Sequence, residues 1–262
     1  MSSAANMFGI LSPAIEDPSY DVTTVCLTSF CFAVGSVNLL ALKQGAAEKP
    51  GARIAREDVN FISYAGLALT HLFAINNGFL SGSFGQFWVT FAIVQAIVHY
   101  RIVSSGFGGS ARKTMHDNLF KGDTNNLDAV NAAMYVSYGV LFFLAVGLKL
   151  EFLQGIAASC MTLFGALGPD PPAFSYDMAS IFGGACALGM AGLNVPAFAG
   201  AAENSDYADV RRIASIVFWL SSVIGFAALP VNGSFFTFWT AVSAVMAVLL
   251  STKNTTSKVK TN

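Results

Sequence analysis

Apolar residues run along this chain in blocks of about 20, the length a helix needs at 1.5 Å per residue to cross a ~30 Å hydrocarbon core. The blocks fall at roughly Val22–Leu42, Val59–Leu80, Phe84–Val103, Leu127–Leu148, Met178–Ala199, Val210–Val231 and Phe235–Leu250. Polar or basic stretches separate them, and the pattern predicts seven transmembrane helices. A further apolar piece, Ile156 to Leu167, is too short to span and reads as an interfacial or re-entrant half-helix. Before the first block, Pro13 and Pro18 interrupt an acidic lead-in and keep it from forming a long helix. It contains no basic residue ahead of an apolar core, so the first span is expected to direct insertion itself.

Composition strengthens that reading. Only 11% of the residues are charged and 54% are apolar, too little charge to solvate an ordinary globular surface. The predicted class is an all-α polytopic membrane protein. Nothing outside the spans is long enough to fold alone, so residues 1–262 form one domain. A net charge of −1 gives nucleic acid no purchase. Cys26, Cys31, Cys160 and Cys186 lie in or beside apolar blocks without CxxC spacing, which fits small packing residues rather than zinc ligands or a disulfide framework.

Basic residues gather on the cytoplasmic side of membrane proteins. With the N-terminus outside and the C-terminus inside, seven spans put every Lys and Arg except Lys149 in cytoplasmic loops or the tail. Counting the short piece as an eighth span would send Arg211, Arg212 and the tail to the opposite face.

The chain also repeats itself. Gly82-Ser83-Phe84-Gly85-Gln86-Phe87-Trp88 returns as Gly233-Ser234-Phe235-Phe236-Thr237-Phe238-Trp239, at the outer turn of a helical hairpin in both places. Laying residues 7–38 on 163–194 pairs Pro13 with Pro169, the triplet Ser19-Tyr20-Asp21 with Ser175-Tyr176-Asp177, and Asn38 with Asn194. A short deletion in the basic loop then lays 58–97 on 209–248. These matches are polar or conformationally special rather than apolar filler, so a tandem duplication is predicted. Repeat 1 covers about 7–104, a linker helix about 127–150 and repeat 2 about 163–251, followed by a basic tail over 252–262. Four spans separate equivalent helices, an even number, so the two three-helix units run parallel.

This three-plus-one-plus-three plan resembles that of the sugar-transporting SWEET proteins, and the helix count resembles that of microbial rhodopsins. The chain lacks the proline-containing repeat motif and third-helix asparagines of the former. It also lacks a lysine between Phe235 and Leu250, where the latter carry retinal. It is assigned to neither.

Polar groups in a bilayer are costly, so mid-span ones are the first functional candidates. Away from their ends the spans contain no Asp, Glu, Lys or Arg, which disfavours a carboxylate proton relay. Asn38 and Asn194, related by the repeat, offer donors and acceptors that suit a neutral solute, or else serve as hydrogen-bond glue between helices. His71 and Gln95, in one hairpin, are expected to share a polar pocket. A haem held by His71 and His99 is disfavoured, because the two lie ~16 Å and ~6 Å from the inner helix ends. Trp88 and Trp239, with Phe84, Phe87, Phe235 and Phe238, read as an outer aromatic belt. Gly183, Gly184, Ala187 and Ala191 read as a surface for close helix approach.

No Walker loop, HExxH or GxSxG pattern occurs, so an enzyme is not expected. The sequence points to a transporter or channel for a small neutral or weakly polar solute, with a path between the repeats lined by Asn38, Asn194, His71 and Gln95 and no cofactor. The alternative is a non-transporting scaffold or receptor subunit of a larger membrane complex. Expected partners are the lipid bilayer, the solute and further subunits, either copies of this chain or members of such a complex.

Overall fold

A computed structural model describes residues 18–76, 82–102, 126–144, 151–152, 156, 176–194, 205–228 and 234–259. These residues are all-helical, with seven α-helices and no strand among them. They are α1 (Pro18–Gln44), α2 (Pro50–Asn76), α3 (Gly82–Ile102), α4 (Asn126–Tyr138), α5 (Tyr176–Asn194), α6 (Ser205–Ala228) and α7 (Ser234–Val259). A 3-10 turn, Gly45–Ala47, links α1 to α2, and a π-helical stretch, Gly139–Leu144, continues α4. By length and composition, two helical segments suffice to cross a membrane, Val25–Gln44 and Asp206–Ala228, and Thr237–Thr252 is a shorter apolar helix. The short apolar piece and the lead-in lie outside the described residues, apart from Ile156 and Pro18 onward.

Each of the seven predicted blocks overlaps one helix, and two of the helices begin five or more residues before their blocks. α2 starts at Pro50 rather than Val59, and α6 at Ser205 rather than Val210. Proline is well placed at a helix start, where its missing N–H would have no partner. The charged residues that the sequence pattern assigns to loops instead lie just before or within the first three turns of these helices and tie them together. Lys49 Nζ meets Asp206 Oδ1 at 2.8 Å, and Tyr207 donates to Asp58 Oδ2 at 3.2 Å. The hydrogen bond to Asp206 and that residue's charge hold the Lys49 ammonium above the usual lysine range. Arg56 forks onto both Glu48 oxygens, at 2.9 and 3.0 Å, and reaches Glu57 at 2.7 Å.

The helices do not pack in chain order. α1 lies against α6 and α5 while barely touching α2, and α2 lies against α3 and α5. α6 packs on α1, α7 and α2, and α4 with its π continuation packs on α5. α5 is therefore surrounded, and its glycines set the approach distances. A Cβ at Gly184 would fall 2.7 Å from both the backbone N and the Cβ of Phe143, and one at Gly189 would fall 2.8 Å from the Phe30 ring. Gly184→Ala is expected to cost about 1–3 kcal/mol, because the obstruction is backbone and cannot rotate away. Gly66→Ala, with nothing within 4 Å, is expected to be neutral or stabilising by up to about 1 kcal/mol. Thermal unfolding of the two variants in detergent compares them.

On the outside, α3 exposes Phe87, Phe91, Val94, Ile97 and Val98, and α1 exposes Phe32, Leu39 and Leu42. The core joins Ala33 and Val37 of α1, Tyr135 of α4, Met190 and Leu193 of α5, Ala214 and Phe218 of α6, and Met246 and Leu250 of α7.

Candidate functional site

Two features stand out inside the bundle, a polar network and, adjoining it, an aromatic cavity. The network centres on Asn194, at the last residue of α5 and 0% exposed. Its amide nitrogen donates to the carbonyl of Met190, one turn back, at 2.8 Å. Its oxygen accepts from Asn131 Nδ2 at 3.1 Å, Ser215 Oγ at 3.2 Å and Arg211 at 3.4 Å. Asn131 sits on α4, also fully buried, and accepts at its own oxygen from the Trp219 indole N–H at 2.9 Å. One turn earlier on α4, Asp128 Oδ2 takes Arg211 at 3.4 Å and Arg212 at 2.9 Å. α4, α5 and α6 are thus joined by an uninterrupted chain of polar contacts from Asp128 to Trp219.

Charge this far inside the bundle differs from the sequence expectation. The sequence pattern puts Arg211 in a cytoplasmic loop, yet it is wholly buried on α6, beside Asn194 and Asp128. Burying a guanidinium requires a counter-charge and further acceptors, and Asp128 and Asn194 supply them. Hydropathy cannot show this, because Asp128 and Arg211 are both near ends of apolar blocks and 83 positions apart.

The first half holds a smaller counterpart. Asn38, half-buried on α1, donates to the carbonyl of Val34 at 2.9 Å and exchanges two hydrogen bonds with Asn60 of α2, at 2.9 and 3.1 Å. Toward the end of α3, His99 Nδ1 lies 2.7 Å from Glu57 Oε2, and its ring stacks on Tyr64 at 5.5 Å. Asn38 and Asn194 therefore belong to separate clusters. His71 is half-buried, with Nδ1 2.8 Å from the Leu67 carbonyl and its ring 6.4 Å from Trp88. Gln95 is half-buried on α3.

The cavity lies between α1, α4, α5, α6 and α7. Its walls include Cys26, Tyr135, Tyr138, Gly183, Ala187, Phe218, Trp219, Ser222, Phe226, Trp239 and Ser243. None of Asn38, Asn194, His71 or Gln95 lines it. Trp219 joins the two features: its ring forms cavity wall, stacked on Tyr135 at 5.2 Å, while its N–H binds the network. Trp239 also turns inward, edge-on to Tyr138 at 5.2 Å, instead of joining an outer belt. It begins the stripe Trp239, Ser243, Met246, Leu250 on the inner side of α7, at helical spacing. Phe238 and Phe87 point outward, as a belt requires.

Asn131, Tyr135 and Trp219 escape the sequence reading. Asn131 and Tyr135 share the linker helix, which has no repeat partner to flag them, but their i, i+4 spacing with Asp128 three residues earlier marks one face of α4. No family model matches the chain, and no curated protein or solved structure matches it either.

Proposed function

We propose that this chain is a seven-span membrane protein, N-terminus outside, built from two parallel three-helix repeats, and that it carries a small neutral solute through the bundle. The observation that carries this reading is the order of the two features along the helices. The cavity adjoins the starts of α1, α5 and α7 and the ends of α4 and α6, the outer side of the proposed topology. The polar network adjoins the end of α5 and the starts of α4 and α6, the inner side. A solute held in the aromatic cavity would thus meet the Trp219–Asn131–Asn194–Arg211–Asp128 chain as a cytoplasmic closure. The candidate path runs among the second repeat, the linker helix and the start of α1 instead of midway between the repeats.

Several observations support the duplication. The paired residues Asn38 and Asn194 each donate to the carbonyl four residues back. The same alignment sets Asn60 opposite Arg211, and these are the partners that the two asparagines meet on the next helix. Exchanging α1 with α5, α2 with α6 and α3 with α7 also maps the packing onto itself: α1 on α6 becomes α5 on α2, and hairpin α2–α3 becomes hairpin α6–α7. The exposed apolar faces of α1 and α3 suit contact with lipid.

Purified protein in liposomes is expected to pass at least one member of a panel of small uncharged solutes. Ala187→Leu, which fills the cavity, should lower that flux at least tenfold without unfolding the protein. Absence of flux across the panel overturns the transport reading. The second reading, a non-transporting subunit of a larger membrane complex, draws on the closed interior around Asn194, where every polar group of that side chain is engaged within the protein. It predicts stable co-purification with partner subunits.

A further inference from the structure

Among the described residues, the cavity walls carry six aromatic rings and no Asp, Glu, Lys or Arg. A charged guest would lose its hydration there with nothing to replace it, so the guest is neutral. The polar atoms narrow the class further. Ser222 donates its hydroxyl hydrogen to the carbonyl of Phe218 at 2.8 Å, so only its lone pairs remain to serve a guest. Ser243 is 0% exposed, and its hydroxyl has no hydrogen-bond partner among the described residues. Buried hydroxyls are ordinarily bonded, and a bare one on a cavity wall marks the place of a missing partner.

We infer that the cavity is a binding site for a compact neutral alcohol, with an apolar body among the rings and one hydroxyl shared between Ser243 and Ser222. A hydroxyl both donates and accepts, so it can give its hydrogen to one serine and take one from Ser243. A ketone can serve Ser243 alone, and a hydrocarbon serves neither. Size sets the other limit: a cavity of about 40 Å³ holds roughly three waters at ~10–15 Å³ each, so the guest has about three or four non-hydrogen atoms.

The inference deepens the transport reading, but binding is measured without flux. The chain has three tryptophans, and two of them, Trp219 and Trp239, line the cavity, so intrinsic fluorescence in detergent reports occupancy. Ethanol and 2-propanol, with acetone and dissolved propane as comparisons of matching size, are titrated into the full-length protein. Saturable quenching or a spectral shift is expected in the order alcohol, then ketone, then hydrocarbon. Ser243→Ala should weaken 2-propanol roughly five- to tenfold, the worth of one hydrogen bond, while leaving propane unchanged. Ala187→Leu should abolish the response in a protein whose helical circular dichroism is intact. No saturable response in the wild type, as for a cavity that holds only water, overturns the site. Equal affinity for alcohol and hydrocarbon, or no effect of Ser243→Ala, overturns the hydroxyl assignment. Binding without flux retires the transport reading and leaves the site standing, whereas flux unaffected by Ala187→Leu and unaccompanied by binding does the reverse.

Discussion

Asp128→Ala is expected to lower the unfolding free energy by about 3–5 kcal/mol, the largest single effect in the bundle. The substitution removes the carboxylate from a guanidinium that is 0% exposed, at 3.4 Å, and from Arg212 at 2.9 Å. A buried ion pair contributes little net stability when whole, since desolvation offsets most of the attraction. Breaking it leaves an uncompensated charge, and that is where the cost of this size arises. Asp128→Asn keeps a hydrogen-bond acceptor in place and should lose less. Arg211→Met combined with Asp128→Leu removes both charges and should recover much of the loss. Urea unfolding in a mild detergent, followed by intrinsic tryptophan fluorescence, orders the series. An Asp128→Ala protein within about 1 kcal/mol of wild type would show that water reaches Arg211 and that the network is no closure.

The two asparagines, equivalent by sequence, should respond unequally. Asn194→Ala leaves three donors, from Asn131, Ser215 and Arg211, without their common acceptor in a fully buried place. One of those donors is charged, and a loss of about 2–3 kcal/mol follows from the cost of stranded buried donors. Asn38→Ala breaks a reciprocal pair with Asn60 at a half-buried position. There the cost should be about 0.6–2 kcal/mol, the usual worth of such pairs between membrane helices. Thermal unfolding of the two variants decides the matter: equal losses would mean that Arg211 finds another acceptor when Asn194 is gone.

Much of the helix plan was readable in advance because apolar block length and loop charge are local properties. α1, α3 and α7 begin within four residues of the predicted starts. α2 and α6 were misplaced because hydropathy marks where apolar residues begin, and these helices begin in charged turns that pair with each other through Lys49–Asp206 and Tyr207–Asp58. The glycines of α5 read correctly as contact positions, since a residue without a Cβ in an apolar helix invites close approach. Asn38 and Asn194 stand out in the sequence as polar residues within apolar blocks, and each is taken up by bonds within the protein. The cavity formed elsewhere, from Tyr135, Trp219, Trp239 and Ser243, residues that look like ordinary packing when read one helix at a time.

The sequence by itself determined which segments are helical, the clustering of positive charge between apolar blocks, and the matched polar positions of its two halves, all of which depend on spacing along the chain. Only the tertiary structure decided which helices meet. α1 lies against α6, and α4 covers α5, because those faces bury apolar surface and fit around glycine. That choice of neighbours puts Asp128 beside Arg211, turns Asn194 into a shared acceptor, and leaves Ser243 on a cavity wall with its hydroxyl unanswered among the described residues.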